Sequence, residues 1–338
     1  MKHYDIILFT NQPSFYKVRQ WNEIAKKKHV LMAFSDAIEK DRNADFVSEK
    51  PTFEYLYMPQ GVIKSLFFLI KILYKNNYTQ LIIGGWDDWR LIILPFLSRK
   101  KKNALLCESS IYEFQPHPLK DMMKRLVLSR ISTVYPSGKA QGRIFDYFEF
   151  NGDYKYTGGC GLLNYIEQPA YVSRQEVKTF LYVGRLVEVK NLRLLIEVFN
   201  QLPELQLNII GYGEQEVELK QLAKENIHFL GCVANKQLSS YYQQADVFIL
   251  PSNSEVWGLV IEEALNNGTP VIVSDKVGCR DDLVTEETGL VFDAGNSESL
   301  TKAIEKIRDI NFYNQLRRGI ANLDFAARAK RQVEVFAE

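Results

Sequence analysis

Histidine, cysteine and long apolar runs are all scarce in this 338-residue chain, and each scarcity removes a class of answer. The four histidines show no HExxH or zinc-type spacing, so no metal centre is expected. Cys107, Cys160, Cys232 and Cys279 lie far apart without a CxxC pair, which fits a reducing compartment and no disulfide scaffold. No apolar run reaches the ~18 residues of a spanning helix. The opening MKHYDIILFT enters a strand-like run without the apolar core and cleavage site of a secretory leader, so a cytoplasmic chain is expected. GxGxxG and GxxxxGK[ST] are both absent, and the turn after the first strand reads TNQPSF. Without those glycines, a nicotinamide dehydrogenase and a P-loop kinase are disfavoured. Basic residues do not interleave with aromatics along one stripe, so nucleic acid is not an expected partner.

What remains is an ordinary globular composition, 46% hydrophobic and 25% charged, long enough for two domains. The net charge of +1 conceals an asymmetry. Residues 1–170 hold 24 Lys/Arg against 17 Asp/Glu, and residues 171–338 hold 18 against 24. The basic half is the better face for an anionic partner, a membrane or a phosphorylated substrate, unless the excess is scatter in a small count.

Short apolar runs alternate with helical stretches throughout. DIILFT, HVLMAFS, TFEYLYM, QLIIGG, NALLCES and ISTVYPS form a first series of strands. KTFLYVGRL, LQLNIIG, IHFLG, DVFILPS, TPVIVSD and GLVFDAG form a second. Strands that alternate with helices predict parallel sheets covered on both faces. The glycine- and proline-bearing stretch at 150–177 predicts a crossing between two doubly wound domains. Strand ends should point into a cleft between them, where open α/β sheets bind ligands.

The segment ILPSNSEVWGLVIEEAL reads as a buried strand, a polar loop and a helix starting near Trp257 or Gly258. The N–H groups of its first turn predict an anion site, and Gly258 allows close approach of a ligand. Glu255 and Glu263 would then accept hydrogen bonds from sugars at the two ends of a diphosphate. Favourable alignment of acids with the helix dipole is the competing account of the pair. Glu262 is expected to face solvent or another helix. In YVGRLVEVKN, Gly184 closes a strand and Arg185 and Lys190 supply positive charge within reach of one site, or are ordinary surface charges. Gly211 and Gly213 in IIGYGEQ could admit a nucleotide at a strand exit. GCVAN, with Val233 at its centre, could offer backbone groups to a base edge.

Together these segments closely resemble the retaining glycosyltransferases of the large family numbered four. That family has the GT-B fold, an α/β architecture of two facing Rossmann-like domains with parallel sheets and a cleft between them. The resemblance runs over residues 178–295, through FLYVGRLVEVKN, IIGYGE, SNSEVWGLVIEEALNNGTPVIVSD and TGLVF. The family's acid pair matches Glu255 and Glu263 with Ala264, its basic pair matches Arg185 and Lys190, and its aromatic-Gly matches Trp257-Gly258, where phenylalanine is usual. By that resemblance Glu263 binds the donor ribose and Glu255 the hydroxyls of the donated sugar. Arg185 and Lys190 hold the diphosphate, with backbone groups from Val256, Trp257, Gly258 and Leu259. It implies no metal ion, no prosthetic group and a nucleotide diphosphate sugar as donor, UDP favoured over GDP.

The first half departs from the family's pattern. Asn11, Gln12, Pro13 and Ser14 stand where many members have a glycine-rich loop, and LLCESS offers Glu108 and Ser109 where many carry histidine. Glu108 is the candidate for acceptor hydroxyl binding or proton handling, against a strand-end acid capping a helix. Asp87, Asp88, Trp86, Ser137 and Lys139 are further candidates at strand exits. The stretch GVIKSLFFLIKILYKNN reads preferentially as a core helix with solvated lysines, and alternatively as an interfacial helix on an anionic bilayer.

The expected domains are 1–165 for a glycan or lipid-linked glycan acceptor and 166–320 for the nucleotide-sugar. Residues 321–338 are expected as a helix returning to the first domain. The expected function is hexosyl transfer in bacterial surface polysaccharide assembly, in the cytoplasm or on the inner face of the membrane. A non-hydrolysing nucleotide-sugar epimerase and a silent GT-B partner subunit are the alternatives.

Overall fold

The computed structural model describes residues 1–35, 46, 48–86, 88–163 and 165–338. It divides into two compact units, Met1–Leu163 with Ala327–Glu338, and Asn164–Ala326.

In the first unit the chain forms β1 (His3–Thr10), α1 (Phe15–Ala25), β2 (Val30–Phe34), β3 (Glu54–Tyr57), α2 (Val62–Lys75) and β4 (Asn77–Ile83). It continues through α3 (Trp89–Leu97), β5 (Asn103–Cys107), α4 (Pro118–Leu128), β6 (Thr133–Pro136), α5 (Lys139–Tyr147) and β7 (Asp153–Tyr154). The strands are parallel, in the order β3-β2-β1-β4-β5-β6-β7. The strand runs were readable because central parallel strands are apolar on both sides: in β1, Ile6, Ile7, Leu8 and Phe9 are all buried. Alternate residues serve alternate faces. Ile7 and Phe9 join Leu69 and Leu73 of α2, Leu94 of α3, Leu128 of α4 and Phe145 of α5 in one core cluster. On other contacts of this unit, Trp21 of α1 packs against Phe336 with ring centroids 5.0 Å apart, and Phe336 stacks on Tyr135 at 4.7 Å. The two-residue β7 was not expected, being too short for a period to show.

The second unit contains β8 (Thr179–Val183), α6 (Leu192–Phe199), β9 (Gln206–Ile210), α7 (Glu216–Leu222), β10 (Ile227–Gly231) and α8 (Leu238–Gln244). Then come β11 (Val247–Leu250), α9 (Leu259–Asn266), β12 (Val271–Ser274), α10 (Arg280–Leu283), β13 (Gly289–Phe292), α11 (Ser297–Ile307) and α12 (Ile310–Ala321). Its sheet is also parallel, ordered β10-β9-β8-β11-β12-β13. The last helix, α13 (Phe325–Ala337), belongs from Ala327 onward to the first unit. There Gln332 accepts from Gln20 Nε2 through its carbonyl at 2.9 Å and from the Gly161 amide through Oε1 at 3.2 Å.

In both units the winding reverses beside the first strand, between β1 and β4 and between β8 and β11. The loops that leave those strand ends diverge, which opens the backbone to a ligand at that point.

Candidate functional site

At the reversal in the second unit, the loop after β8 meets the loop after β11. Lys190 ends a short 3-10 turn, and Asn191 takes the left-handed conformation (φ 57°) that a short polar side chain tolerates. Two bonds tie the loops together. Asn191 Nδ2 donates to the Pro251 carbonyl at 3.2 Å, and the Asn253 amide donates to the Val189 carbonyl at 2.8 Å. They bring Lys190 Nζ into a charge-assisted hydrogen bond with Glu255 Oε2, each side chain only 15% exposed. Sixty-five positions apart in sequence, the predicted cation and the predicted acid are direct partners. Arg185, one residue beyond Gly184, is exposed, and its carbonyl accepts the Tyr182 hydroxyl at 2.8 Å. Burial raises the Tyr182 pKa well above that of a free phenol, with the Glu255 charge adding to the rise and Arg185 opposing it. Tyr182 thus stays a neutral donor beneath the pair.

A second loop braces the first. The Glu255 amide donates to the Lys276 carbonyl at 3.2 Å, the Gly278 amide to the Glu255 carbonyl at 2.8 Å, and the Cys279 amide to the Trp257 carbonyl at 2.9 Å. Gly258 then turns the chain into α9 at φ +103°, where a Cβ would be strained and would press on Ile261. Its own backbone angle therefore requires glycine there, whatever approaches it. Leu259 and Val260 begin α9, with the partial positive end of the helix at the site.

Glu263 stands about one turn into α9 and is partly exposed. Tyr242 of α8 donates to its Oε2 at 2.8 Å. Burial pushes the Glu263 carboxyl up to about 7; the Tyr242 hydroxyl opposes the rise and the neighbouring Glu262 adds to it. Glu262 corrects the sequence reading. It is fully buried, accepting from Trp257 Nε1 at 2.7 Å and from the Tyr165 hydroxyl at 2.9 Å. An indole in place of the phenylalanine usual in the resembling family brings a buried N–H that needs an acceptor, and Glu262 supplies it. One turn on, Asn266 brackets Ile166, accepting from its amide at 2.9 Å and donating to its carbonyl at 3.1 Å.

Gly211 and Gly213 have a reason in the fold itself. A Cβ on Gly211 would collide with the carbonyl of Gly184, and one on Gly213 with the backbone of Leu186. Val233 follows β10, half-buried at the same carboxyl edge of the sheet, while Val256 is exposed beside Glu255. Sequence reasoning missed Tyr182, Asn191, Tyr242 and Tyr165. Only an inward tyrosine two residues before a strand-closing glycine gave any signal.

In the first unit Glu108 follows β5 and forms an ion pair with Lys17 of α1 at 2.9 Å, Lys17 being almost wholly buried. Burial draws the Lys17 ammonium toward deprotonation, but the Glu108 charge beside it prevails and holds its pKa above the ordinary value. Asn11 Oδ1 accepts from Lys17 at 3.4 Å. The other candidates have structural partners. Asp88 caps α3 by accepting from the Arg90 amide at 2.8 Å. Ser137 is buried and donates to the Cys107 carbonyl at 3.3 Å. Trp86 packs on Phe145 with centroids 6.0 Å apart, while Lys139 starts α5 exposed and Asp87 lies outside the described residues. Among the described residues, no cluster of three or more His, Cys, Asp and Glu could hold a metal ion, and no helix is long and apolar enough to cross a membrane.

Residues 166–322 match the family model described as glycosyl transferases group 1. The sulfoquinovosyl transferase SQD2 of Arabidopsis thaliana is 34% identical over 135 residues, 38% of this chain and 26% of that protein. The chain matches less than half the length of each of the curated relatives compared. Over the whole chain the fold is similar to that of the lipopolysaccharide outer core galactosyltransferase WaaB, with a TM-score of 0.72 at 16% identity and 98% of each chain covered. It is also similar to Anabaena Alr3699/HepE in complex with UDP, at 0.69 and 16%, covering 99% of this chain and 97% of that one. The chain has the GT-B fold and is related, through its second unit, to the glycosyl transferases group 1.

Proposed function

We propose that this chain is a retaining hexosyltransferase that moves a sugar from a nucleotide diphosphate sugar to a hydroxyl of a glycan or lipid-linked glycan acceptor. The observation that carries the reading is the Lys190–Glu255 pair, placed at a sheet reversal beside the start of α9, with Glu263 further along that helix. The cation and the helix start suit a diphosphate, and the two carboxylates suit the hydroxyls on either side of it.

In this reading Arg185, Lys190 and the amides at Gly258 and Leu259 hold the diphosphate. They stabilise the negative charge that builds as the anomeric carbon parts from phosphate oxygen. Glu255 accepts hydrogen bonds from the transferred sugar and Glu263 from the ribose. Val233 and Val256 flank the nucleotide, and Gly211 and Gly213 shape the edge it lies on. The acceptor oxygen bonds to the anomeric carbon on the face the phosphate leaves, and its proton passes to that departing phosphate. Glu108, held in place by the buried Lys17, accepts hydrogen bonds from acceptor hydroxyls in the first unit. UDP is the favoured nucleotide, supported by its presence in the complex of the similarly folded HepE. The chemistry named for WaaB supports a role in bacterial surface polysaccharide assembly, which we place in the cytoplasm or on the inner face of the membrane.

The test is a panel of UDP- and GDP-sugars, scored by rise in melting temperature and by slow donor hydrolysis, followed by transfer to lipid-linked acceptors. A UDP-sugar should stabilise the protein and yield a glycosylated product with its anomeric configuration kept. Epimerised sugar without product would overturn the reading.

A further inference from the structure

Helix α2 is apolar on two opposite sides. Ser65, Leu69, Ile72 and Leu73 are its buried residues. Ile63, Phe67, Ile70 and Tyr74 follow one another at spacings of four, three and four, which sets them in one line along the helix. That line faces outward: Ile63 is 78% exposed, Phe67 74% and Tyr74 68%. Scattered exposed apolar residues are ordinary on a surface, but a continuous stripe of large ones marks a surface that something covers.

The charges beside the stripe say what kind of cover fits. Lys64, Lys71 and Lys75 follow at spacings of seven and four, forming a second exposed line along one edge of the first. No acidic residue occurs between Glu54 and Asp87, so these lysines lack an intrahelical partner. Beyond α3 the chain runs into Arg99, Lys100 and Lys101, also exposed. A second copy packed two-fold on this stripe would bring lysine edges toward each other with no acids from α2 to meet them. A bilayer surface takes both lines at once, side chains into the acyl boundary and ammonium groups to anionic lipid headgroups.

We propose that the outer stripe of α2 lies in the interface of an anionic bilayer, with Phe67 at its centre and the three lysines along its edge. This names the membrane-contacting element of the function proposed above and rests on that reading only for what the docked protein does there.

The full chain is sedimented with phosphatidylcholine vesicles, with and without phosphatidylglycerol, at low and high salt, while UDP binding is followed by calorimetry. The protein should bind the anionic vesicles at low salt and release at high salt. Lys64→Gln, Lys71→Gln and Lys75→Gln together should weaken binding about a hundredfold, at roughly fivefold per lysine. Phe67→Ser with Ile63→Ser should weaken it by at least about tenfold. Both variants change exposed side chains and should keep the circular dichroism spectrum and UDP affinity of the parent. The proposal is overturned if the parent ignores phosphatidylglycerol vesicles or if the variants bind as the parent does. It is equally overturned if sedimentation velocity reveals a dimer that Phe67→Ser dissolves. Absence of UDP binding with vesicle binding intact would instead count against the donor reading alone.

Discussion

The two units use the same winding order to opposite ends. At the reversal of the second sheet, a lysine and a glutamate from different loops meet beside a helix start, with an exposed arginine one strand-end away. In the first unit a lysine and a glutamate also meet, Lys17 and Glu108, but there the lysine is almost wholly buried. The outer surfaces differ too. Large exposed apolar residues concentrate on α2, α3 and α4 of the first unit and are few in the second. A shared topology therefore fixes where a site can open, and local side chains decide how its charges are paired and how deeply they are buried.

The strongest way to break that contrast is to exchange the roles of the two ion pairs. Glu255→Gln and Lys190→Met should each lower transfer by about a thousandfold, as loss of a group that stabilises developing charge does. Each variant should also cost some stability, because both side chains are only 15% exposed and the partner loses its counter-charge. Transfer must therefore fall far more than the melting temperature does. Initial rates beside thermal unfolding check this. Lys17→Met should do the reverse in its first effect, costing about 2 kcal/mol in denaturant unfolding because it leaves Glu108 unpaired. Lys17→Met with Glu108→Gln should recover part of that loss. If Lys17→Met unfolds like the parent, Lys17 does not anchor the first unit.

A comparable swap tests the brace under the second unit's loop. Glu262→Leu should destabilise by about 2 kcal/mol, by stranding the indole N–H and the Tyr165 hydroxyl. Adding Trp257→Phe should restore some of the stability and most of the nucleotide affinity. Equal losses in the single and double variants would show that the two residues do not act together.

The smallest effect is one of pH. Glu263 carries a carboxyl raised from 4.5 to about 7, so its ionised form, the better hydroxyl acceptor, gains through neutrality. Nucleotide affinity should rise by up to about tenfold between pH 6 and pH 8, following the ionised fraction of a carboxyl that titrates near 7, and Glu263→Gln should flatten the titration. Folding stability moves the other way. The folded protein keeps a proton that the unfolded chain has lost, so this group's contribution is fully present below about 4.5 and is lost as pH climbs through about 7.

Much of the scaffold was legible because buried parallel strands write themselves as unbroken apolar runs, as in IILF of β1 and FLYV of β8. Helix orientation was not. The stretch from Val62 to Lys75 is apolar enough to suggest a core helix, and its sequence cannot tell which of two apolar stripes meets the sheet. Glu262 was misread for the same reason: a single acid next to Glu263 gives no sign that an indole five residues earlier will claim it. Lys17 resembled any solvated lysine of an amphipathic helix until β5 brought Glu108 beside it. Gly211 has a further cause that the sequence could not show, the Gly184 carbonyl that a Cβ would strike.

The salt link between Lys190 and Glu255 has one more implication. An arriving anion competes with Glu255 for the ammonium, and success leaves that carboxylate with oxygens to satisfy. Bare phosphate offers only the first half of this exchange and creates a debt. A molecule bearing both an anionic group and, a few ångströms away, hydroxyl donors settles it in the same step. Such a pocket should discriminate against fragments, binding the intact conjugate more tightly than its two halves would suggest.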